Sequence, residues 1–307
     1  MRYLACGSLV PSFCLSFLLG CVPNAQQSPN RNLPQDSTER NLRNEVLKRI
    51  EGKNADEKLS ILLKIISAPN DRPLRRDTIR YLSGLLVEVS VLSNPLTDLL
   101  LMETDSAIVN DLEDLLSNLE FDIDHYLLEA SLAASESQHL RIVKVMGLRK
   151  TSTPEALNYF RQHLTADSLS LFVKTCEAIV EIGPPARVLL PELVTAADQP
   201  RIAMTPNNPK AARDSRDKTY AAGRAINAVG PDVSAAETLR KLLAMEASIA
   251  TQAAEALAQL ESEASAAIPE LKQLMNRDDH SGRDIKTRKA RDAAERALAR
   301  IAKGTEP

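Results

Sequence analysis

The stretch Ala222-Gly-Arg-Ala-Ile-Asn-Ala-Val-Gly230 decides how this chain is read. Small residues at 222 and 225 precede an apolar lead at Ile226, a second apolar residue at Val229 and a terminal glycine, as at the end of an amphipathic helix. The same helix end recurs as Val143-Lys-Val-Met-Gly147, Ile179-Val-Glu-Ile-Gly183, Leu257-Ala-Gln-Leu-Glu261 and Leu298-Ala-Arg-Ile-Ala302. The five leads, at 143, 179, 226, 257 and 298, are separated by 36, 47, 31 and 41 residues, the spacing of stacked helix pairs. Before each of the last four stands Ala178, Ala225, Ala256 or Ala297, and three residues earlier Thr175, Ala222, Ala253 or Ala294. Small side chains on that face let a neighbouring helix approach closely, and a helix pair that cannot bury its apolar stripe alone must stack on the next.

Between these ends runs a second recurring helix, Gly183-Pro-Pro-Ala-Arg-Val-Leu-Leu-Pro-Glu-Leu193 and Ala264-Ser-Ala-Ala-Ile-Pro-Glu-Leu271, expected to kink at Pro191 and Pro269. With these residues the chain resembles the HEAT repeat family, in which an A helix with an internal proline precedes a B helix reading Ala-Ala-x-x-Ala-Leu-x-x-Ile-Gly. The resemblance covers about Ser168 to Lys303 and implies an all-α fold, an α-α superhelix of antiparallel pairs. It also implies a ladder arginine early in helix B, where this chain has Lys218 in one repeat and Ala250 and Ala290 in the next two.

Outward from the repeats, apolar residues recur at three- and four-residue steps from Ser37 onward, predicting about fifteen helices and no strands. Asn54-Ala-Asp-Glu57 reads as a capping box. Asp71 with Pro73, Asn94 with Pro95 and Thr153 with Pro154 read as caps followed by first-turn prolines. Ile108, Leu112, Leu115, Leu116 and Leu119 form one stripe, and Cys176 lies in another as a small core residue. Composition agrees: 307 residues with only 10 Gly argue against a sandwich, barrel or doubly wound nucleotide fold. At 3% aromatics and no Trp, the chain lacks the stacking platforms of sugar-binding or single-strand-binding proteins. The long punctuated stretch from Gln199 to Ser215 reads as a surface loop.

The first residues carry an address. Met1-Arg2 precedes an uncharged stretch from Tyr3 to Gly20, and Phe17-Leu-Leu-Gly-Cys21 resembles the lipobox of bacterial lipoproteins. That resemblance implies a signal peptide over 1–20, cleavage before Cys21 and acylation of Cys21, with Val22 after it going with the outer membrane. Residues 21–36, rich in Pro, Asn and Gln, read as a tether. The folded part then divides into degenerate helical repeats over 37–167, with an acidic segment at 81–140, and HEAT-like repeats over 168–303.

Charge is sharply segregated. Tyr81 to Leu140 holds twelve acidic residues and no Lys or Arg, whereas Arg40 to Arg80 and Arg283 to Lys303 each carry a net charge of +5. The acidic run reads as a solvated face or as a surface steering a basic partner segment. The basic last helix reads as a polar cap on the array or as a contact for anionic lipid headgroups.

No Gly-rich phosphate loop, Cys pair or metal helix occurs, and the four histidines, His125, His139, His163 and His280, fall in different helices and turns. Asp122-x-Asp124 lacks the glycine and glutamate of a calcium loop, and Asp278-Asp-His280 reads as a polar turn. No catalytic residue, metal or cofactor is expected. The expected function is an envelope-anchored scaffold or adaptor whose partner is another protein, attached to the membrane by N-terminal acyl chains and without a nucleic-acid ligand. Contacts are expected at outward positions of the B helices: Glu177 and Glu181, Arg224 and Asn227, Glu255 and Gln259, then Arg296 and Arg300. The alternatives are an enzyme of the HEAT-like lyase type using an inter-helix groove, and a soluble secreted binding protein.

Overall fold

A computed structural model describes residues 44–69, 71–84, 92–119, 122–199, 208–277 and 285–304. The leader, Cys21, the tether and Asp278-Asp279-His280 lie outside these residues. The described chain is helical throughout and contains no strand. A helical segment at 44–50 (α1) is followed by α2 Ala55–Ser67, α3 Arg72–Ser83, α4 Ser93–Met102, α5 Ser106–Ser117, α6 Asp124–Ser131, α7 Glu136–Leu148, α8 Pro154–Leu164 and α9 Leu169–Ile182. Then come α10 Leu190–Ala197, α11 Pro209–Val229, α12 Ala236–Leu243, α13 Ala247–Leu257, α14 Ile268–Met275 and α15 Ile285–Gly304.

Local chemistry sets the boundaries. The Asn54 side chain accepts the Glu57 N–H at 2.9 Å while the Glu57 carboxylate accepts the Asn54 N–H, the expected capping box. Asp71 and Thr153 cap α3 and α8 ahead of their prolines. The expected Asn94 cap is corrected: α4 starts at Ser93, so Asn94 already lies in the first turn, and Leu92 before it offers no capping oxygen.

Helices of even number pair with the following odd-numbered helix, and the odd-numbered helices α3, α5, α7, α9, α11, α13 and α15 pack side by side in one row. The even-numbered helices form the second layer of an α-α superhelix, a HEAT-like solenoid. The odd row continues without a break across residue 168, so the degenerate and the regular repeats stack in the same way. One core runs the length of the array between the layers, from Val46 through Leu112 and Phe160 to Ile301.

The alanine seam works as the spacing requires. Ala222, Ala225, Ala253, Ala256, Ala294 and Ala297 are all 0% exposed. Between α7 and α9 the helices come closer still: a Cβ placed on Gly147 would lie 2.6 Å from both Cα and Cβ of Ala178. Gly183 and Gly230, at the same motif position, serve a different end. They terminate α9 and α11 at φ 72° and 81°, a region open to glycine.

Two expectations about the A helices are corrected. Pro191 and Pro269 do not kink long helices; each sits in the first turn of a short one, α10 or α14, entered from a 3-10 turn at Pro184–Leu189 or Glu261–Ala267. A proline there gives up an N–H that has no intrahelical acceptor, so it starts the helix at no cost in hydrogen bonds. The Gln199–Ser215 loop is shorter than the sequence suggested, because Pro209 likewise initiates α11 and residues 209–215 are already helical.

Candidate functional site

Half of the acidic charge described in 81–140 is spent in ion pairs within the array. Among the twelve acidic residues of 81–140, Glu103, Asp105, Asp111, Glu113 and Asp124 form ion pairs, with Arg75, Arg72, Arg76, Lys144 and Arg149 respectively. The basic face of α3 thus meets the acidic face of α5, which in turn meets the basic face of α7. Arg75 and Glu103 are both buried, and the Glu103 carboxylate also accepts the N–H groups of Thr104 and Asp105 at 2.8 Å. Burial alone would push Glu103 upward, yet these N–H groups and the Arg75 guanidinium hold its carboxyl below the usual carboxylate value. Asp98, Asp114, Asp122, Glu129 and Glu136 remain exposed.

Arginines also take over the expected interrepeat ladder. Arg141 donates to the Leu100 carbonyl at the end of α4, Arg149 to the Leu116 and Leu119 carbonyls at the end of α5, and Arg277 to the Leu243 and Met245 carbonyls at the end of α12. A cation over unsatisfied carbonyls at a helix C-terminus is well placed electrostatically. Lys218, at the family's ladder position, instead lies 5.5 Å from the centre of the Phe172 ring.

The surface of the odd row carries an open groove of about 440 Å³ between α9 and α11. The α9 wall presents Leu169, Val173, Lys174, Glu177 and Val180, with buried Cys176 at its floor; the α11 wall presents Asp217, Tyr220, Ala221 and Arg224. These are single helical stripes at three- and four-residue steps. Burial pushes the Cys176 thiol up, as suits a core cysteine and not a nucleophile. Asp217 and Tyr220 also line the adjoining hollow with Arg216, Glu246, Ser248 and Lys286, so the groove continues past α13 towards α15.

The structure separates the eight expected contact residues into three sets. Glu177 and Arg224 line the groove, and Glu177 accepts a bond from Lys174. Asn227, Glu255, Gln259 and Arg296 are joined across α11, α13 and α15. Asn227 donates to Glu255 at 3.3 Å, Gln259 donates to Asn227 at 2.6 Å, and Arg296 lies 3.5 Å from Glu255. Glu181 and Arg300 are exposed. Glu177, Arg224, Glu255 and Arg296 hold one motif position in four successive repeats, with alternating charge. Sequence reasoning missed Val173, Val180 and Tyr220, although an exposed aromatic three residues before the buried Gly223 was a usable signal.

The histidines are less scattered than the sequence suggested. His139 on α7 and His163 on α8 bring their rings to 4.9 Å, with Tyr159 between them and its hydroxyl 2.8 Å from His139 Nδ1. Burial lowers both imidazoles, His163 to about 4 with help from His139, and raises the Tyr159 phenol. Tyr159 and His163 are buried, which makes this a packed cluster between one helix pair and the next.

No protein-family model and no curated protein matches the chain. Among solved structures it is similar to Kap121p bound to Nup53p, at a TM-score of 0.60 and 14% identity over 87% of this chain and 32% of that one. A Kap121p mutant is similar at 0.57 and 14%, over 88% and 32%. A designed armadillo repeat protein matches at 0.36 and 16%, over 79% and 99%. The chain spans about a third of the length of Kap121p. At this identity the likeness is one of fold, and it places the chain among helical repeat solenoids.

Proposed function

We propose that this chain is a protein-binding scaffold held at the bacterial cell envelope, at the outer membrane, through an acylated Cys21. The observation that carries the binding half is the continuous groove on the odd row, where exposed Tyr220 and half-buried Val173 and Val180 stand between charged rims. Interfaces draw most of their affinity from such aromatic anchors, and a solenoid supplies the rigid wall that holds them. Kap121p, a solenoid of similar fold, is described bound to Nup53p, which fits the same use of the architecture. The envelope half rests on Gly20-Cys21 after an uncharged run and before a polar tether.

Crosslinking in intact cells followed by mass spectrometry tests the binding surface. Partner crosslinks are expected from lysines of the odd row, such as Lys174 and Lys286. Crosslinks confined to the even-numbered helices would overturn the assignment, as would partner binding undiminished after charge reversal at Glu177, Glu181, Arg224 and Glu255. Binding should weaken with salt, since the rims are charged. For the anchor, radiolabelled palmitate should enter the wild-type chain and not Cys21→Ser; label retained in that variant would refute acylation at Cys21.

A further inference from the structure

We infer that the groove between α9 and α11 takes an extended protein segment that sets a bulky apolar side chain against Tyr220 and, within two residues of it, a carboxylate against Arg224. This rests on the scaffold reading above and names the chemistry of the partner.

The charges in the groove are not equivalent. Glu177 is bonded by Lys174, and Asp217 lies 3.1 Å from Arg216, so both carboxylates are already balanced. Arg224 is half-buried at the rim and makes no hydrogen bond or ion pair with any described residue. Its neighbours at the same motif position are themselves engaged, Glu177 with Lys174 and Glu255 with Arg296 and Asn227. Among the described residues the groove therefore offers one unpaired cation, a guanidinium whose planar fork suits a carboxylate.

One turn before Arg224 lies Tyr220, and across from it Val173, at the equivalent place in the preceding repeat, with Val180 beyond. Together they make an apolar slot along the open groove. Tyr220 and Arg224 are four residues apart on a helix, about 6 Å along its axis. That is the reach of two residues of extended chain, which sets the spacing of the paired side chains. The flanking glutamates disfavour a run of acidic residues, so a single carboxylate is expected beside the apolar anchor.

The test is selection of displayed random 12-residue peptides on the full-length chain, followed by fluorescence polarisation of the recovered sequences. Enrichment of Leu, Met, Phe or Tyr within two residues of one Asp or Glu is expected, with affinity falling about tenfold or more on Tyr220→Ala and on Arg224→Gln. Replacing the peptide's acid by its amide should weaken binding to wild type and make no further difference to Arg224→Gln. Lys272→Gln, exposed on the even-numbered α14 and away from the groove, should bind as wild type does. A basic consensus, no selected binder, or affinity indifferent to Arg224→Gln would overturn the inference. Partner crosslinks on the odd row together with a basic consensus would leave the scaffold reading standing and remove this one. Far-UV circular dichroism on both variants shows whether lost binding is lost folding.

Discussion

Gly147→Ala sets two known effects against each other, and the structure says which wins. Alanine in place of glycine inside a helix gains up to about 1 kcal/mol, less near an end, and Gly147 is next to last in α7. Against this, the new methyl would lie 2.6 Å from Cα and Cβ of Ala178, where carbon atoms rest at about 3.5–4.0 Å. Because one of the atoms met is backbone, no rotamer change relieves the overlap; α7 and α9 must separate by about 1 Å. Overpacking of this kind costs roughly 1–3 kcal/mol, and the rigid neighbour argues for the upper part of that range. A net loss of about 2 kcal/mol is expected, confined to one interface because each repeat touches only its neighbours. Adding Ala178→Gly should return little of it, since the overlap with the side-chain methyl disappears but the overlap with the backbone carbon stays and glycine inside α9 itself costs about 0.5–1 kcal/mol. Urea unfolding gives the sum, and amide exchange of peptides from α7 and α9 locates it. If Gly147→Ala proves as stable as wild type or more so, the two helices have slack and the close-packing argument is wrong.

Further outcomes follow from single residues. Glu261 holds a φ of 49° at the motif position where Gly183 and Gly230 stand, so Glu261→Gly should raise stability by about 0.5–1 kcal/mol, read as an increase in melting temperature. His163 has a folded pKa of about 4 against an ordinary 6.5, so between those values the unfolded chain binds the proton and the folded chain does not. Stability is therefore full above about pH 6.5 and falls by up to about 3 kcal/mol as pH drops towards 4. His163→Phe should flatten the dependence of the urea midpoint on pH, and an unchanged slope would assign the acid lability elsewhere. Arg75→Met strips Glu103 of its buried partner and removes the bond to the Ile66 carbonyl, which should cost about 3–5 kcal/mol, whereas Arg75→Met with Glu103→Leu should recover part of it. Ala225→Arg, at a fully buried seam position, should abolish cooperative unfolding of α11 and α13, while Arg224→Ala beside it should leave the melting curve unmoved.

What was legible in the sequence was what periodicity encodes. Seam alanines, the capping box at Asn54 and the stripe from Ile108 to Leu119 depend on spacing along one helix, and all lie where the spacing puts them. The expectations that needed correction turn on what lies beside a residue in the fold. Pro191 and Pro269 look internal only if the 3-10 turn before each is counted as part of the same helix. Gly147, Gly183 and Gly230 look alike in the sequence, yet the first is needed for interhelical distance and the others for a positive φ.

Charge shows the same division most fully. An acidic stretch without a single Lys or Arg reads along the chain as a face that repels itself and attracts something basic. In a solenoid, however, the nearest neighbours of a residue lie about thirty to forty positions away, one repeat on either side. Arg76 meets Asp111 at 2.6 Å and Lys144 meets Glu113 at 2.5 Å, so blocks segregated along the sequence become alternating layers in space. The period that separates like charges in sequence is the period that brings opposite charges together. By the same reasoning the charges able to act on another molecule are those the stacking leaves over, which in the groove means Arg224 and not the acidic run.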